Sequence, residues 1–165
     1  MVKISLLAAD GGLLCFSIAV IVVPTLFWKP RIWLRDLPQD IQAAADPITA
    51  DEKRIAVAVG VLVTAIMLGI IVASTVRHGF AGGFVPAALH AFLLFQIFNA
   101  FDAVVLDCGI LALIDPAHPP IEGTEDAADW RDYKYHFSAS LRGAVIGVIL
   151  APAAAGAAWL ISLAM

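Results

Sequence analysis

Residues 101–143 read FDAVVLDCGILALIDPAHPPIEGTEDAADWRDYKYHFSASLRG. This stretch leaves one long apolar run through a proline-rich turn, crosses an acidic and aromatic segment, and enters the next apolar run. Asp102 and Asp107 lie among residues that otherwise suit lipid, and His136 and Arg142 follow on the return path. The stretch therefore predicts two membrane helices with charged groups between them, for which the remaining chain provides the scaffold.

The overall composition points to the same class of protein. Of the 165 residues, 61% are hydrophobic and 15% are charged, and the mean hydropathy is +0.91. A soluble domain has roughly 45–50% apolar and about 25% charged residues, so we expect an integral membrane protein with the lipid bilayer as its partner. A net charge of −4 without a basic, aromatic cluster argues against nucleic-acid binding. Cys15 and Cys108 have no metal-ligand spacing, and no motif signals a cofactor.

Four apolar runs reach the roughly 20 residues that a membrane-spanning helix needs. They cover about 4–27, 55–76, 84–114 and 138–165. No long polar block separates them, which predicts a single membrane domain: an all-α, up-down bundle of four transmembrane helices. Cationic residues rather than a small-residue cleavage site follow the first run, as is typical of a retained anchor.

Both large loops contain helix-forming signals and most of the positive charge. Asp36-Leu37-Pro38 predicts a short helix with an acidic cap, and Thr49 with Glu52 forms a capping box for the second span. The interpretation is an amphipathic segment in each loop. Lysines and arginines concentrate in and beside loops 28–54 and 115–137, whereas the other side has only Lys3 and Arg77. Positive charge marks the cytoplasmic side, so we expect both loops to be cytoplasmic and both termini outside.

The third span has a polar face. On an α-helix, Gln96, Asn99 and Asp107 fall within an arc of about 80°, with Asp102 about 60° beyond Asn99. Asp102 and Asp107 are then about 140° apart, which argues against a carboxylate pair on one straight helix. Paired chemistry then needs a partner from another helix, and the fourth span offers one. An Asp–Arg pair that locks two helices together and a ligand-binding site remain alternatives, and the candidate residues for either are Gln96, Asn99, Asp102, Asp107, His136 and Arg142.

The acidic segment before the fourth span has two interpretations. Thr124 is a candidate helix cap, and Trp130, Tyr133 and Phe137 recur at helical spacing suited to the membrane interface. The excess of acids also permits a divalent-cation site, although the spacing matches no defined metal motif. The candidate metal ligands are Glu122, Glu125, Asp126 and His136.

Two further clusters lie elsewhere in the chain. Asp10, Arg77, His78 and His90 are expected at similar depth on the other side of the membrane, as an Asp10–Arg77 salt bridge or as a metal site of Asp10, His78 and His90. Gly143, Gly147 and Ala151 recur every four residues and predict close helix packing. That packing can serve the bundle, a homo-oligomer or a partner in a membrane complex.

The pattern Asp102-x4-Asp107, then Gly123-Thr124-Glu125, then Asp132-Tyr133-x-x-His136 resembles a group of small uncharacterised bacterial multi-pass membrane proteins. The resemblance covers about a quarter of the chain, and Glu122 stands where such proteins often have proline. It implies a four-helix fold in the bacterial cytoplasmic (inner) membrane and a site around the third loop, but no known activity.

Two functional hypotheses follow. In the first, a buried polar site at the cytoplasmic end of the third and fourth spans binds a small ligand, a lipid headgroup or a cation. In the second, the chain is a non-catalytic accessory or assembly subunit of a larger membrane complex. Whether the carboxylates line an accessible cavity or end in closed ion pairs distinguishes the two, and whether the chain is an enzyme stays open.

Overall fold

The computed structural model describes residues 4–78, 83–110, 114, 118–125, 127, 130 and 132–164. These residues form helices and no strand. The helices are α1 (Ile4–Trp28), α2 (Gln39–Ala44), α3 (Ala50–His78), α4 (Phe84–Phe101) and α5 (Tyr133–Ala164), with a 3-10 helix at Pro30–Asp36 and a π-helical segment at Asp102–Ile110 that continues α4. Four of them, α1, α3, α4 with its continuation, and α5, are long and apolar enough to cross a membrane. The expectation of an all-α protein with four such helices is confirmed.

Polar caps extend two of the helices beyond the predicted apolar spans. The Thr49 N–H donates to Glu52 Oε2 over 2.7 Å, and the Glu52 N–H donates to Thr49 Oγ1 over 3.2 Å. This reciprocal capping box starts α3 at Ala50 rather than at residue 55. At α5, Asp132 Oδ1 accepts a hydrogen bond from the Tyr135 N–H at 3.0 Å, and the helix begins at Tyr133 rather than at residue 138. The capping box had predicted the early start of α3, whereas hydropathy alone detects only the lipid-compatible part of each helix.

The third span ends differently from the prediction. Regular helix is described as far as Ile110, and Ile114 lies in a bend rather than in the helix. Residues 111–113 fall outside the described part of the chain. From Asp102 onward the backbone is π-helical, with hydrogen bonds that join residues i and i+5 instead of i and i+4.

The loops pack on each other under one end of the bundle, which we call the loop end. Leu34, Leu37, Ile41, Ile121 and Trp130 form a buried cluster there. Trp130 is only 2% exposed, and its indole N–H donates to the Thr124 carbonyl oxygen at 3.1 Å. Trp130 therefore does not belong to the expected interfacial stripe, because its ring packs against apolar side chains inside the protein. Tyr133 and Phe137 are exposed.

The predicted cap at Asp36 is wrong, because Pro38 is the N-cap of α2 and makes no side-chain cap hydrogen bond. The helix predicted to follow Thr124 covers residues outside the described part of the chain. Thr124 Oγ1 donates to the Ile121 carbonyl oxygen at 2.6 Å, and the Ala127 N–H donates to the Thr124 carbonyl oxygen, so Thr124 stabilises a turn before α5 begins at Tyr133.

The small residues of α5 face α4 within the same chain, and α4 packs more extensively against α5 than against the other helices. A Cβ atom on Gly147 would lie 2.5 Å from Gln96 Nε2 and 2.6 Å from Phe95 Cδ1, and one on Gly143 would collide with the Asn99 side chain. The two glycines therefore let the α5 backbone approach α4. Their role lies inside the bundle, and association with a second copy or a partner stays a prediction.

Candidate functional site

A partly open cavity of about 410 Å³ lies at the loop end of the bundle. Its apolar wall comes from α1, α3 and α4, through side chains such as Val22, Val63 and Phe98. Its polar lining comes from the 3-10 helix, the π-helical segment and the start of α5. The polar and charged residues of the lining are Arg35, Asp36, Asp102, Asp107, Tyr135, His136 and Arg142. Four of the six residues proposed from the sequence thus line one cavity.

The π-helical segment brings the two carboxylates of the third span together. On an α-helix Asp102 and Asp107 would be about 140° apart. In a π-helix, residues five apart stack along the axis because the hydrogen bonds join i and i+5, and Asp102 and Asp107 are five apart. Both line the same cavity. The 140° separation expected for a straight α-helix therefore does not apply to this segment, although no contact between the two carboxylates is described.

Asp107 also contacts the imidazole of His136, which lies in the first turn of α5. Its Oδ2 lies 3.2 Å from His136 Nδ1, and the His136 side chain is 5% exposed. The other ring nitrogen, Nε2, is buried and has no hydrogen-bond partner among the described residues. An unsatisfied buried polar atom costs about 1–3 kcal/mol, and such atoms in native proteins call for a specific explanation such as a functional role. His136 is therefore the lining residue that points most directly to a further interaction.

Arg142 and Asp102 do not form the expected helix-locking pair. Within the described ranges, no ion pair joins Arg142 to Asp102 or to Asp107. Arg142 is exposed and Asp102 is half-buried, and both line the cavity. Asp102 and Arg142 thus remain open to the cavity, whereas Asp107 is in contact with His136.

Gln96 and Asn99 have a different role, since neither lines the cavity. Gln96 Nε2 donates to the Ala144 carbonyl oxygen at 3.3 Å. Asn99 Nδ2 donates to the carbonyl oxygen of Ser140 at 3.0 Å and to its hydroxyl at 3.1 Å. These bonds fasten α4 to the α5 backbone beside the two glycines. The polar face points into the bundle as expected, but this part of it is engaged with α5.

Three of the residues proposed for a cation site in the acidic loop are described, and the structure does not bring them together. Glu122 and Glu125 are exposed, and Glu125 Oε1 accepts a hydrogen bond from the Gly123 N–H at 3.1 Å. Neither belongs to a group of metal-ligating atoms with His136 among the residues that can be described. Asp126 lies outside the described residues.

Asp36 is a member of the site that the sequence analysis missed. It ends the 3-10 helix and lines the cavity beside Arg35. Asp36 is exposed by its surface area, yet the surrounding protein partly shields its carboxylate from water. This desolvation, and then the negative charge of Asp107, raise the pKa of Asp36 above its ordinary value, whereas Arg35 lowers it. The only signal in the sequence was an acid two residues before Pro38, which fits a helix cap equally well.

A mutation of Asp36 should change how stability depends on pH. A carboxyl whose pKa is higher in the folded state binds more protons there, so the free energy of unfolding falls as pH rises from about 4 through the raised pKa. We expect Asp36→Asn to reduce this fall and to make the protein more stable than wild type at pH 7. The thermal midpoint between pH 4 and pH 8 measures both effects. The charged groups that line the cavity with Asp36 are Arg35, Asp102, Asp107, His136 and Arg142.

Asp46→Asn is the matched control, because Asp46 is an exposed acid in the same loop and does not line the cavity. It should leave the pH profile unchanged. Equal profiles for wild type and Asp36→Asn would contradict a carboxylate crowded by its neighbours.

Comparisons with protein-family models, with curated proteins and with solved structures find no match for this chain.

Proposed function

We propose that this protein binds the polar group of a small amphiphile in the cavity at the loop end, and that an amine-bearing lipid headgroup fits the site best. One observation carries the proposal: the Asp102 carboxylate lines a 410 Å³ cavity with no ion-pair partner among the described residues. A charged group inside a membrane span is costly, and in membrane proteins such groups mark ligand and ion sites. An ammonium group would supply the missing positive charge and its N–H donors.

The remaining lining supports the same class of ligand. Arg35 and Arg142 offer guanidinium groups that suit a phosphate, so the cavity holds charges of both signs, as a zwitterionic headgroup does. Ile18, Val22 and Leu26 of α1 add an apolar wall against which an acyl chain can lie. A free inorganic cation would use the carboxylates but neither the guanidinium groups nor the apolar wall.

The proposal includes an arrangement in the membrane. We propose an up-down bundle with both loops on the cytoplasmic side of a bacterial inner membrane and both termini outside. Positive charge near the loop end supports this orientation. Trp28 is 65% exposed and the Lys29 ammonium lies 5.3 Å from its ring centre, an arrangement suited to headgroup depth. The cavity would then open towards the cytoplasmic leaflet.

The alternative, a non-catalytic accessory or assembly subunit of a larger membrane complex, has less support. It predicts that the carboxylates end in closed ion pairs. Asp10 and Asp107 do contact Arg77 and His136, but Asp102 faces the cavity without such a pair in the described parts of the chain.

Binding of short-chain phosphatidylethanolamine to the purified protein in detergent tests the proposal. A ligand at 100 times its dissociation constant stabilises the folded state by about 2.7 kcal/mol, which corresponds to a rise of about 5 °C or more in the thermal midpoint. We expect this rise with phosphatidylethanolamine but not with phosphatidylglycerol of the same chain length. Asp102→Asn should abolish the rise.

Asp51→Asn is the control, because Asp51 is an exposed acid at the start of α3 that does not line the cavity. It should respond to the lipid like wild type. Phosphoethanolamine, which has the headgroup but no acyl chains, distinguishes a soluble ligand from a lipid, because only a lipid also needs the apolar wall. A rise that phosphatidylglycerol matches, or that survives in Asp102→Asn, would refute the proposed site.

A further inference from the structure

A second polar cluster lies at the end of the helices opposite to the cavity. Asp10 comes from α1, Ser74 and His78 from α3, and His90 from α4. The Ser74 hydroxyl donates to Asp10 Oδ2 at 2.6 Å, and His78 Nε2 lies 3.0 Å from the same oxygen. Ser74 Oγ is 2.8 Å from His90 Nε2. Polar side chains from α1, α3 and α4 thus meet in one hydrogen-bonded cluster.

The cluster is buried although it belongs to helices with membrane-spanning composition. Asp10 is 8% exposed, His90 4% and Ser74 0%. Arg77 Nη2 donates to Asp10 Oδ1 at 2.6 Å, but the Arg77 side chain is 60% exposed. The predicted Asp10–Arg77 salt bridge is therefore present, and the cation that neutralises Asp10 stands at the edge of the cluster rather than within it.

We propose that Asp10, His78 and His90 bind a divalent transition-metal ion of the Zn²⁺ type. One ligand atom from each of these residues can be chosen so that all three lie within 4.8 Å of one another. Zinc bonds to nitrogen and oxygen are about 2.0–2.2 Å long, so the ligand atoms of one ion lie roughly 3–4 Å apart. Small side-chain rotations bring this set into range. Two imidazoles and one carboxylate form a known zinc ligand set, with the fourth position left for water.

The structure favours a metal over two other uses of the same residues. A nucleophilic serine would need the histidine between serine and carboxylate, but here Ser74 donates directly to Asp10. A purely structural ion pair needs only Asp10 and Arg77. It does not account for two histidine rings that pack edge to face with centres 4.6 Å apart, with both Nε2 atoms directed at the Asp10–Ser74 bond.

Arg77 provides a test that distinguishes metal binding from a structural role. Because its guanidinium occupies Asp10 Oδ1, it competes with a cation for the carboxylate. Being largely exposed, it can move into solvent when a metal binds. Arg77→Gln should therefore retain or increase metal affinity, whereas the same change would only weaken a structural ion pair.

The experiment uses the full chain, stripped of metal with a chelator and purified in detergent. Equilibrium dialysis with Zn²⁺ should give one ion per chain, and Co²⁺ should give a visible absorption band that Zn²⁺ displaces. His78→Gln and Asp10→Asn should lower Zn²⁺ affinity by at least about 10–100-fold, the loss typical even for residues that only support a metal ligand. Asp102→Asn should bind Zn²⁺ like wild type, which keeps this test separate from that of the cavity.

His78 is the decisive position, because its side chain is 20% exposed and glutamine can keep a hydrogen bond to Asp10. The variant should thus remain folded while losing the metal. Zinc binding below one ion per two chains, unchanged affinity in folded His78→Gln, or weaker binding in Arg77→Gln would each overturn the proposal.

Discussion

Replacing Gly147 by leucine should lower the free energy of unfolding by about 3 kcal/mol or more and separate α4 from α5. Adding side-chain atoms to a well-packed contact costs typically about 1–3 kcal/mol. Here even a Cβ would lie 2.5 Å from Gln96 Nε2 and 2.6 Å from Phe95 Cδ1. Phe95 is 8% exposed and has little room to move. The loss of helicity on titration with denaturing detergent measures the effect.

Gly60→Leu is the control for glycine replacement as such. Gly60 lies in α3, and no heavy atom would come within 4 Å of a Cβ at that position. This variant should be as stable as wild type or slightly more so, since leucine is the better helix former. Equal destabilisation by both substitutions would show that the close approach of α4 and α5 is not what Gly147 provides.

Asp10→Ala should have the second largest effect, with a loss of about 3 kcal/mol in metal-free protein. The change removes the acceptor for Ser74, Arg77 and His78. A buried donor left without its acceptor costs about 1–3 kcal/mol. Two of the donors are shielded from water: the Ser74 hydroxyl, which is 0% exposed and keeps only His90 Nε2 as a neighbour, and His78, which is 20% exposed. Arg77 is 60% exposed and finds water. Thermal unfolding in the presence of a chelator measures this loss without a contribution from metal.

Asp51→Ala is the control for removal of an acid. Asp51 pairs with Arg54 over 3.2 Å, but both side chains are more than 80% exposed, and exposed pairs contribute little. Its midpoint should match that of wild type. If Asp10→Ala also leaves the midpoint unchanged, the cluster does not hold α1 against α3.

The helices were predictable from the sequence because hydropathy reports directly on what lipid tolerates. All four membrane-length helices lie where apolar runs predicted them, and the Thr49–Glu52 capping box formed as its residue types indicate. Such features depend on residues within a few positions of each other.

Features that depend on contacts between distant segments were harder to predict. Trp130 is a residue type common at the membrane interface, but here it packs in a buried cluster with Leu37 and Ile41. Asp36 has the position of a cap, but it lines the cavity. In both cases the local pattern permitted two outcomes, and packing between the two loops decided between them.

The candidate site was predictable in its residue types and not in its geometry. Intramembrane charge alone identified Asp102, Asp107, His136 and Arg142, and all four line the cavity. Charge did not reveal that Arg142 stays out of an ion pair in the described structure, since pairing depends on side-chain reach. It also did not reveal that the backbone of residues 102–110 is π-helical.

The π-helical segment has a consequence for how related chains should be aligned. A π-helix brings residues five apart into line, whereas an α-helix does so for residues four apart. A relative with one residue fewer between its two acids could therefore present the same two carboxylates to the same cavity from an ordinary α-helix. Asp-x-x-x-x-Asp and Asp-x-x-x-Asp would then be equivalent motifs, and an alignment across this helix should place a one-residue gap between the acids instead of treating the second acid as lost.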